Sequence, residues 1–225
     1  DDDDEDKHVM SIVCDILLSV DGGNSMVDIE GMDAAHKIGI LSSIAIGTSL
    51  PPNDFYVEGI KDIDSTDFKY ASKLGFSIKH LAVASLTENE VQLRAHPVLV
   101  SSDSYLAGLK GVRNGIEVET DLVGTLHVAG SGAGQESTAS GLISDLVYLS
   151  NVSSNSSINL NKRIKMNIQP IDEMEFKYFF KIKTLSKDMN LNKIEKIFQK
   201  NQVSISAENF DDFYIIIISE SFIEN

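Results

Sequence analysis

The stretch GIEVETDLVGTLHVAGSGAGQESTASGLISDL, residues 115–146, combines two strand patterns, a glycine-rich turn and a helical pattern in direct succession. Residues 115–120 and 124–129 read as strands on either side of Asp121-Leu122, which predicts a β-hairpin. After the turn, a helix is predicted from about Ser137 to Leu149. A hairpin that leads directly into a helix indicates a sheet layered with helices.

The residues before this stretch extend the same alternation. Apolar residues at helical spacing and glycines at the expected ends predict helices over about 30–46 and 65–74. Residues 76–85 and 90–100 predict strands. The fold class is therefore α+β, with an α/β-type sheet layered with helices.

Composition divides the 225 residues into four segments. Residues 1–24 open with DDDDED, which predicts a disordered acidic end followed by an unassigned apolar segment. Residues 25–150 hold the mixed helices and strands, and residues 151–165 have the polar composition of a linker. Residues 166–225 predict a small strand–helix–strand–strand unit.

Charge and hydropathy exclude several classes of function. The formal net charge of -15 argues against a nucleic-acid partner, because phosphate binding relies on a basic surface. We expect no membrane span and no secretory signal, since no apolar run approaches about 18–20 residues. The single cysteine, Cys14, lies in an apolar run and predicts a core side chain rather than a disulfide or catalytic thiol. A cytoplasmic protein without a metal site is expected.

The segment DIEGMDAAHK, residues 28–37, concentrates ionisable groups at one helix start. Asp33 and Lys37 are four residues apart and so lie on one face of the helix, while Asp28 can cap it. One interpretation is a cap and an ordinary surface ion pair. The alternative is that Lys37 delivers a proton while an aspartate fixes a cationic group of a substrate.

The turn GSGAG, residues 130–134, precedes the last predicted helix, whose free amides could face an anion. The pattern is not G-x-G-x-x-G, because Gln135 occupies the place of the last glycine. Taken alone, the turn predicts a tight backbone reversal at least as well as a ligand site.

The motif Asp28-Ile29-x-Gly31-x-Asp33-x-x-x-Lys37, with its DAAHK sequence, resembles the signature of homoserine dehydrogenases. Further landmarks of that family occur in the same order: Glu58-Gly59-Ile60, Asp67, Ala71, Gly75, Ile78-Lys79, Val91, His96-Pro97, Leu106-Ala107, Gly111-Val112, Asn114 and residues 130–146. The resemblance therefore implies that residues 25–150 are a homoserine dehydrogenase catalytic region.

The resemblance implies a reaction and a set of roles. The reaction is reversible, NAD- or NADP-dependent interconversion of L-homoserine and L-aspartate 4-semialdehyde, in threonine, methionine and isoleucine biosynthesis. Lys37 corresponds to the acid/base residue, Asp28 to a member of the catalytic cluster and Asp33 to a substrate-binding residue. Gly132 and Gly134 correspond to the turn that meets the nicotinamide cofactor.

The sequence departs from the family in two places. The family has a Rossmann domain before this region, which is absent here, and a substrate-site glutamate where Gly22 stands. We therefore expect an incomplete fragment; the alternative is a non-catalytic dimerising or regulatory module. Residues 166–225 resemble the first part of an ACT domain, with Asp188-Met189 in place of the usual proline-glycine turn.

Assembly is expected to follow from these gaps. Homoserine dehydrogenases typically pair through the sheet that residues 76–129 encode here, so the resemblance implies a homodimer. The apolar run YIIIIS, residues 214–219, is expected to form an exposed edge strand that needs a partner chain.

Overall fold

The computed structural model describes residues 10–15, 30–50, 55–86, 90–151, 166–183, 191–200, 205–210, 214–219 and 222–223. The α-helices of these ranges are α1 (Met32–Ile46), α2 (Ser65–Lys73), α3 (Gln135–Asn151) and α4 (Leu191–Lys200). The strands are β1 (Met10–Asp15), β2 (Tyr56–Val57), β3 (Phe76–Leu86), β4 (Glu90–Ser101), β5 (Arg113–Thr120), β6 (Gly124–Ser131), β7 (Asn167–Ile168), β8 (Glu175–Phe176), β9 (Phe179–Lys183), β10 (Ile205–Phe210), β11 (Tyr214–Ser219) and β12 (Phe222–Ile223).

The main sheet has the strand order β2-β4-β3-β1-β5-β6, and β7 also pairs with β4. Strands β3 and β4 form a long antiparallel pair, and β5 and β6 form the hairpin that the sequence predicts. Only β2 and β7 run parallel to their neighbour β4 among the described strands. The predicted mixed sheet layered with helices is confirmed in this part of the chain.

Strand β1 is part of the main sheet, although it comes from the segment that the sequence leaves unassigned. Met10–Asp15 lies in the middle of the main sheet, antiparallel to β3 on one side and to β5 on the other. Residues 1–24, whose apolar part the sequence leaves unassigned, therefore contribute a central strand to this sheet. A six-residue segment is too short to show a clear strand periodicity. Its central position depends on pairing with β3 and β5, which lie far away in the sequence. The acidic end, Asp28 and the side chain of Cys14 lie outside the described residues.

Helix α1 covers one face of this sheet. Its buried Ala34, Ala35 and Ile38 pack into a cluster that includes Ile12 of β1 and Leu93 of β4. The helix ends as predicted at Gly47, which has φ 77° and donates its N–H to the carbonyl of Ser43. Small side chains on the buried face let the helix approach the strands closely, so α1 is held in a fixed position over the sheet centre.

The tail forms a second, three-stranded antiparallel sheet in the order β10-β11-β9. Ile194 of α4 packs on Ile217 of β11, with Phe180, Ile182 and Phe198 around them. The expected exposed edge at residues 214–219 is wrong, because β9 and β10 flank β11 on both sides. Ile216 and Ile217 are fully buried, as is typical of a central strand.

The tail also contacts the main sheet. Asn167–Ile168 joins the sheet by pairing with Glu90 and Val91 of β4. Lys181 of β9 places its Nζ 2.8 Å from a carboxylate oxygen of both Asp64 and Asp67 at the start of α2. The hydrogen bond from Lys181 and the backbone N–H of Thr66 hold the pKa of Asp64 at about 2. No helix in the described ranges has the length and apolarity needed to cross a bilayer.

Candidate active site

The start of α1 rests on a buried histidine. Gly31, the residue before the helix, has φ 83°, a conformation that side chains other than glycine rarely adopt. A Cβ at Gly31 would lie 2.9 Å from Nε2 of His80, so the imidazole fits against the bare glycine backbone. The same Nε2 donates a hydrogen bond of 2.8 Å to the carbonyl of Glu58. The contact with His80 of β3 therefore sets the distance between the start of α1 and the sheet.

Asp33 and Lys37 form the ion pair that their spacing predicts. Lys37 Nζ lies 2.7 Å from Asp33 Oδ2. Their side chains are 34% and 46% exposed, so both remain open to a molecule that approaches the helix. An exposed pair of this kind contributes little to stability, typically about 0.3–0.5 kcal/mol. The ion pair instead fixes the positions of the two charged groups on the first two turns of α1.

The glycine turn has a structural reason for each predicted glycine. The side-chain amide of Asn114 occupies the space that a Cβ of Gly132 would need. Gly134 has φ 127°, outside the range of ordinary L residues. Its carbonyl accepts hydrogen bonds from Ser137 Oγ and Thr138 Oγ1, both at 2.9 Å. These bonds fix the entry of the chain into α3.

The pairing of the strands places the residue next to His80 and the residue next to the glycine turn in one row across the sheet. His80, under the start of α1, is adjacent to Leu81 in β3, which pairs with Asp15 of β1. Asp15 also pairs with Gly115 of β5, and Gly115 pairs with Ala129 of β6, next to the glycine turn. The turn and the start of α1 thus lie in one row, three strand spacings apart, or roughly 14 Å. Strand β1 also ends in this row, at Asp15.

A wide apolar surface flanks this row. Helix α3 has no buried residue along its 17 positions, although Leu142, Leu146 and Leu149 recur at helical spacing. Val128 of the edge strand β6 is 64% exposed. Soluble proteins rarely leave contiguous apolar patches of this kind uncovered. The surface is therefore suited to contact with another part of the protein or another chain.

Two positioning residues are not identified by the sequence pattern. His80 follows Lys79, and consecutive strand residues face opposite sides of a sheet, so alternation alone does not distinguish them. Asn114 belongs to the family landmarks, but its packing against Gly132 depends on the pairing of β5 with β6. The glycine at position 31, inside the DIEGMDAAHK motif, is the local signal that could have suggested a close neighbour. The described residues contain no cluster of His, Cys, Asp and Glu that could hold a metal ion.

Comparison with known sequences identifies relatives of this chain. The family model for homoserine dehydrogenase matches residues 23–147. The homoserine dehydrogenase of Pseudomonas aeruginosa is 37% identical over 188 residues, which cover 80% of this chain and 43% of the relative. That of Helicobacter pylori is 32% identical over 183 residues, covering 81% of this chain and 44% of the relative. The chain thus spans less than half the length of these curated relatives.

Comparison with solved structures gives the same fold. A homoserine dehydrogenase from Thiobacillus denitrificans superposes with a TM-score of 0.81 at 26% identity, covering 96% of this chain and 58% of that structure. A homoserine dehydrogenase from S. aureus superposes with a TM-score of 0.70 at 20% identity, a level that speaks to the fold alone.

Proposed function

The chain belongs to the homoserine dehydrogenase family, and from this premise we propose that it provides the catalytic region for the interconversion of L-homoserine and L-aspartate 4-semialdehyde. The observation that carries the proposal is the Asp33–Lys37 pair, held at 2.7 Å on the first two turns of α1, where both side chains are partly exposed. This geometry supports the catalytic interpretation of the DIEGMDAAHK segment over that of an incidental surface pair, because Gly31 and His80 fix the helix start that carries it.

The proposed roles follow from the charges. The Lys37 ammonium stabilises negative charge on the carbonyl oxygen of the semialdehyde and delivers a proton there. The Asp33 carboxylate binds the ammonium group of the substrate and holds it in position. Asp28 is proposed as a third member of this cluster; it lies outside the described residues. In the reverse direction, Lys37 removes the proton from the homoserine hydroxyl.

The glycine turn is the proposed contact with the cofactor. A bound NADP or NAD supplies hydride acceptance and donation. Residues 130–134 fit this group, because the turn is exposed, and α3 begins directly after it with its amide N–H groups at that end. Gly132 already donates its amide to the carbonyl of Val112 at 2.8 Å, so its proposed part is to keep the backbone open rather than to donate.

The apolar surface of β6 and α3 is the proposed contact with the remainder of the enzyme. More than half of the length of the curated relatives lies outside the matched region. A nucleotide-binding domain seated against α3 would cover Leu142, Leu146 and Leu149 and bring the cofactor to the glycine turn.

We also propose that the chain forms a homodimer through its main sheet, whose strand β6 pairs on one side only among the described strands.

The tail is proposed as a partial ACT-like unit. Its β9-α4-β10-β11 succession, with β9 next to β11, follows the first part of a ferredoxin-like arrangement. Its contacts with α2 and β4 would let the position of the tail influence the catalytic region. We place the reaction in the cytoplasm, in the biosynthesis of threonine, methionine and isoleucine.

The test compares the chain with a joined enzyme. The chain is fused behind the N-terminal portion of the Pseudomonas aeruginosa relative, and reduction of NADP and of NAD is followed with L-homoserine. The proposal expects homoserine-dependent reduction in the fusion and little in the chain alone. A folded fusion that binds cofactor but gives no homoserine-dependent turnover would contradict it. That result would favour a non-catalytic dimerising or regulatory module, for which the uncovered α3 surface is the supporting observation.

A further inference from the structure

Strand β4 presents two different faces. Val91, Leu93 and Ala95 point into the core beneath α1. The alternate residues face the tail instead: Gln92 Nε2 donates to Gln169 Oε1 at 2.5 Å, and the guanidinium of Arg94 lies 5.3 Å from the ring centroid of Phe176. The β4 side chains on this second face thus contact Gln169 and Phe176 of the tail.

Arg94 is a partly buried cation, and no described residue forms an ion pair with it. Its Nε and Nη1 have no contact with solvent and no hydrogen-bond acceptor in the structure. Burial accordingly lowers the pKa of Arg94 from its ordinary value. The Phe176 ring lies against the face of the Arg94 guanidinium. The N–H groups point outward in the plane of the guanidinium, so this contact does not provide them with a hydrogen-bond acceptor. Charged groups are rarely buried in this way unless they are paired.

His96 repeats the pattern two residues along the same face. Its Nδ1 donates to the carbonyl of Pro97 at 3.0 Å, and its buried Nε2 has no partner. The rings of Tyr56 and Phe176 lie edge-on at 6.0 and 6.1 Å between centroids. Burial, followed by the charge of Arg94, lowers the pKa of His96 to about 4, so the imidazole is neutral near pH 7.

We propose that Arg94 and His96 form a binding site for a carboxylate group, enclosed between β4 and the tail residues around Phe176. A carboxylate is the anion that best matches in-plane guanidinium N–H groups. It would neutralise the buried charge of Arg94 and favour a protonated His96, whose Nε2 then becomes a donor. Buried polar groups that lack a partner are a known sign of a missing ion or ligand.

The location of the site has a consequence for the tail. Since Nε and Nη1 of Arg94 and Nε2 of His96 have no contact with solvent, a carboxylate reaches these three atoms only when the segment that carries Phe176 lifts from β4. Once bound, the carboxylate removes the cost of burying Arg94 and holds that segment against the sheet. A small carboxylic acid would therefore act as a ligand that fixes the tail in its docked position.

The experiment measures the thermal unfolding of the full chain at pH 7 in sodium acetate and in sodium chloride of equal ionic strength. For the wild type, acetate should raise Tm by about 2–4 °C more than chloride does. Arg94→Met should lose this acetate-specific gain and, in chloride, be at least as stable as the wild type, because an unpaired buried charge is removed. Arg113→Met, which removes an exposed cation, is the matched control and should keep the gain.

The proposal is overturned if acetate and chloride act equally on the wild type, or if acetate protects Arg94→Met as much as the wild type. If Arg94→Met does not fold, NMR titration of His96 in the wild-type chain decides the question. Saturating acetate should raise the pKa of His96, whereas chloride at the same concentration should not. An unchanged pKa, or an equal rise in both salts, contradicts a carboxylate site.

Discussion

Helices α1 and α3 are of similar length but have opposite surroundings. Six of the 15 residues of α1 are buried against the main sheet, whereas none of the 17 residues of α3 is. Isolated helices of this length are marginal in water, so α3 gains little stability from its own contacts. Within the described part of the chain, the layer that carries Asp33 and Lys37 is thus covered, whereas the helix after the glycine turn is not.

The largest expected effect tests this contrast in the core. Ile38→Ala removes a fully buried side chain beneath α1 and should lower the free energy of unfolding by about 2–5 kcal/mol. Leu146→Ala removes a side chain of α3 that is 59% exposed and should change it by about 0.5 kcal/mol or less. Urea unfolding of both variants of the lone chain, at a concentration at which light scattering shows a monomer, gives the two values. Comparable losses would mean that α3 is buried within the monomer.

The second prediction asks whether α1 carries the chemistry. In the fused enzyme, Lys37→Ala should reduce the rate of turnover by about 10²-fold or more, because the proton donor at the substrate oxygen is lost. The exposed neighbour His36 lies about 100° further around the helix, so His36→Ala is the matched control and should turn over nearly normally. Circular dichroism confirms that both variants are folded. Near-normal activity of Lys37→Ala would refute the catalytic assignment of this helix.

A third prediction separates the two helices by ligand. Asp33→Asn in the fused enzyme should weaken homoserine binding by about tenfold or more, since only the substrate offers an ammonium group to this carboxylate. Binding of the cofactor, which is proposed at the turn before α3, should change little. Calorimetric titration with each ligand measures both affinities. Equal losses for the two ligands would reduce Asp33 to a structural partner of Lys37.

The smallest expected effect concerns the uncovered surface itself. At micromolar concentration, the lone chain should form dimers or larger species through its apolar faces. Because its net charge of -15 opposes close approach, salt should strengthen this association by screening. Light scattering across a salt series measures the change in mean mass. A monodisperse monomer at every salt concentration would show that α3 and β6 remain uncovered without consequence.

The sequence predicts the bounds of helices and strands better than it predicts which strands pair with each other. Helices α1 and α2 and the β5–β6 hairpin are found within a few residues of their predicted bounds, because periodicity and glycine stops are local signals. The status of a strand as central or edge is not local. Residues 10–15 were too short to place and lie in the middle of the sheet, while residues 214–219 were predicted to be an edge and are flanked on both sides.

The same limit applies to the candidate site. The spacing of Asp33 and Lys37 predicts their ion pair, because a helix fixes which residues meet one turn apart. The support from His80 and the packing of Asn114 on Gly132 depend on which strands pair, and no local pattern contains that information. Family landmarks indicate that such positions matter, but the structure supplies the contact that explains them.

The central position of β1 has a consequence for the order in which the chain can fold. Met10 pairs with Leu86 on one side and with Thr120 on the other, so the middle of the sheet closes only after two long loops have been formed. The entropy of closing such loops makes non-local pairing slow. During synthesis, β1 must wait for its partners β3 and β5, which are made later. A version of the chain that starts after Asp15 would leave β3 and β5 with facing, unpaired edges and a strong tendency to aggregate.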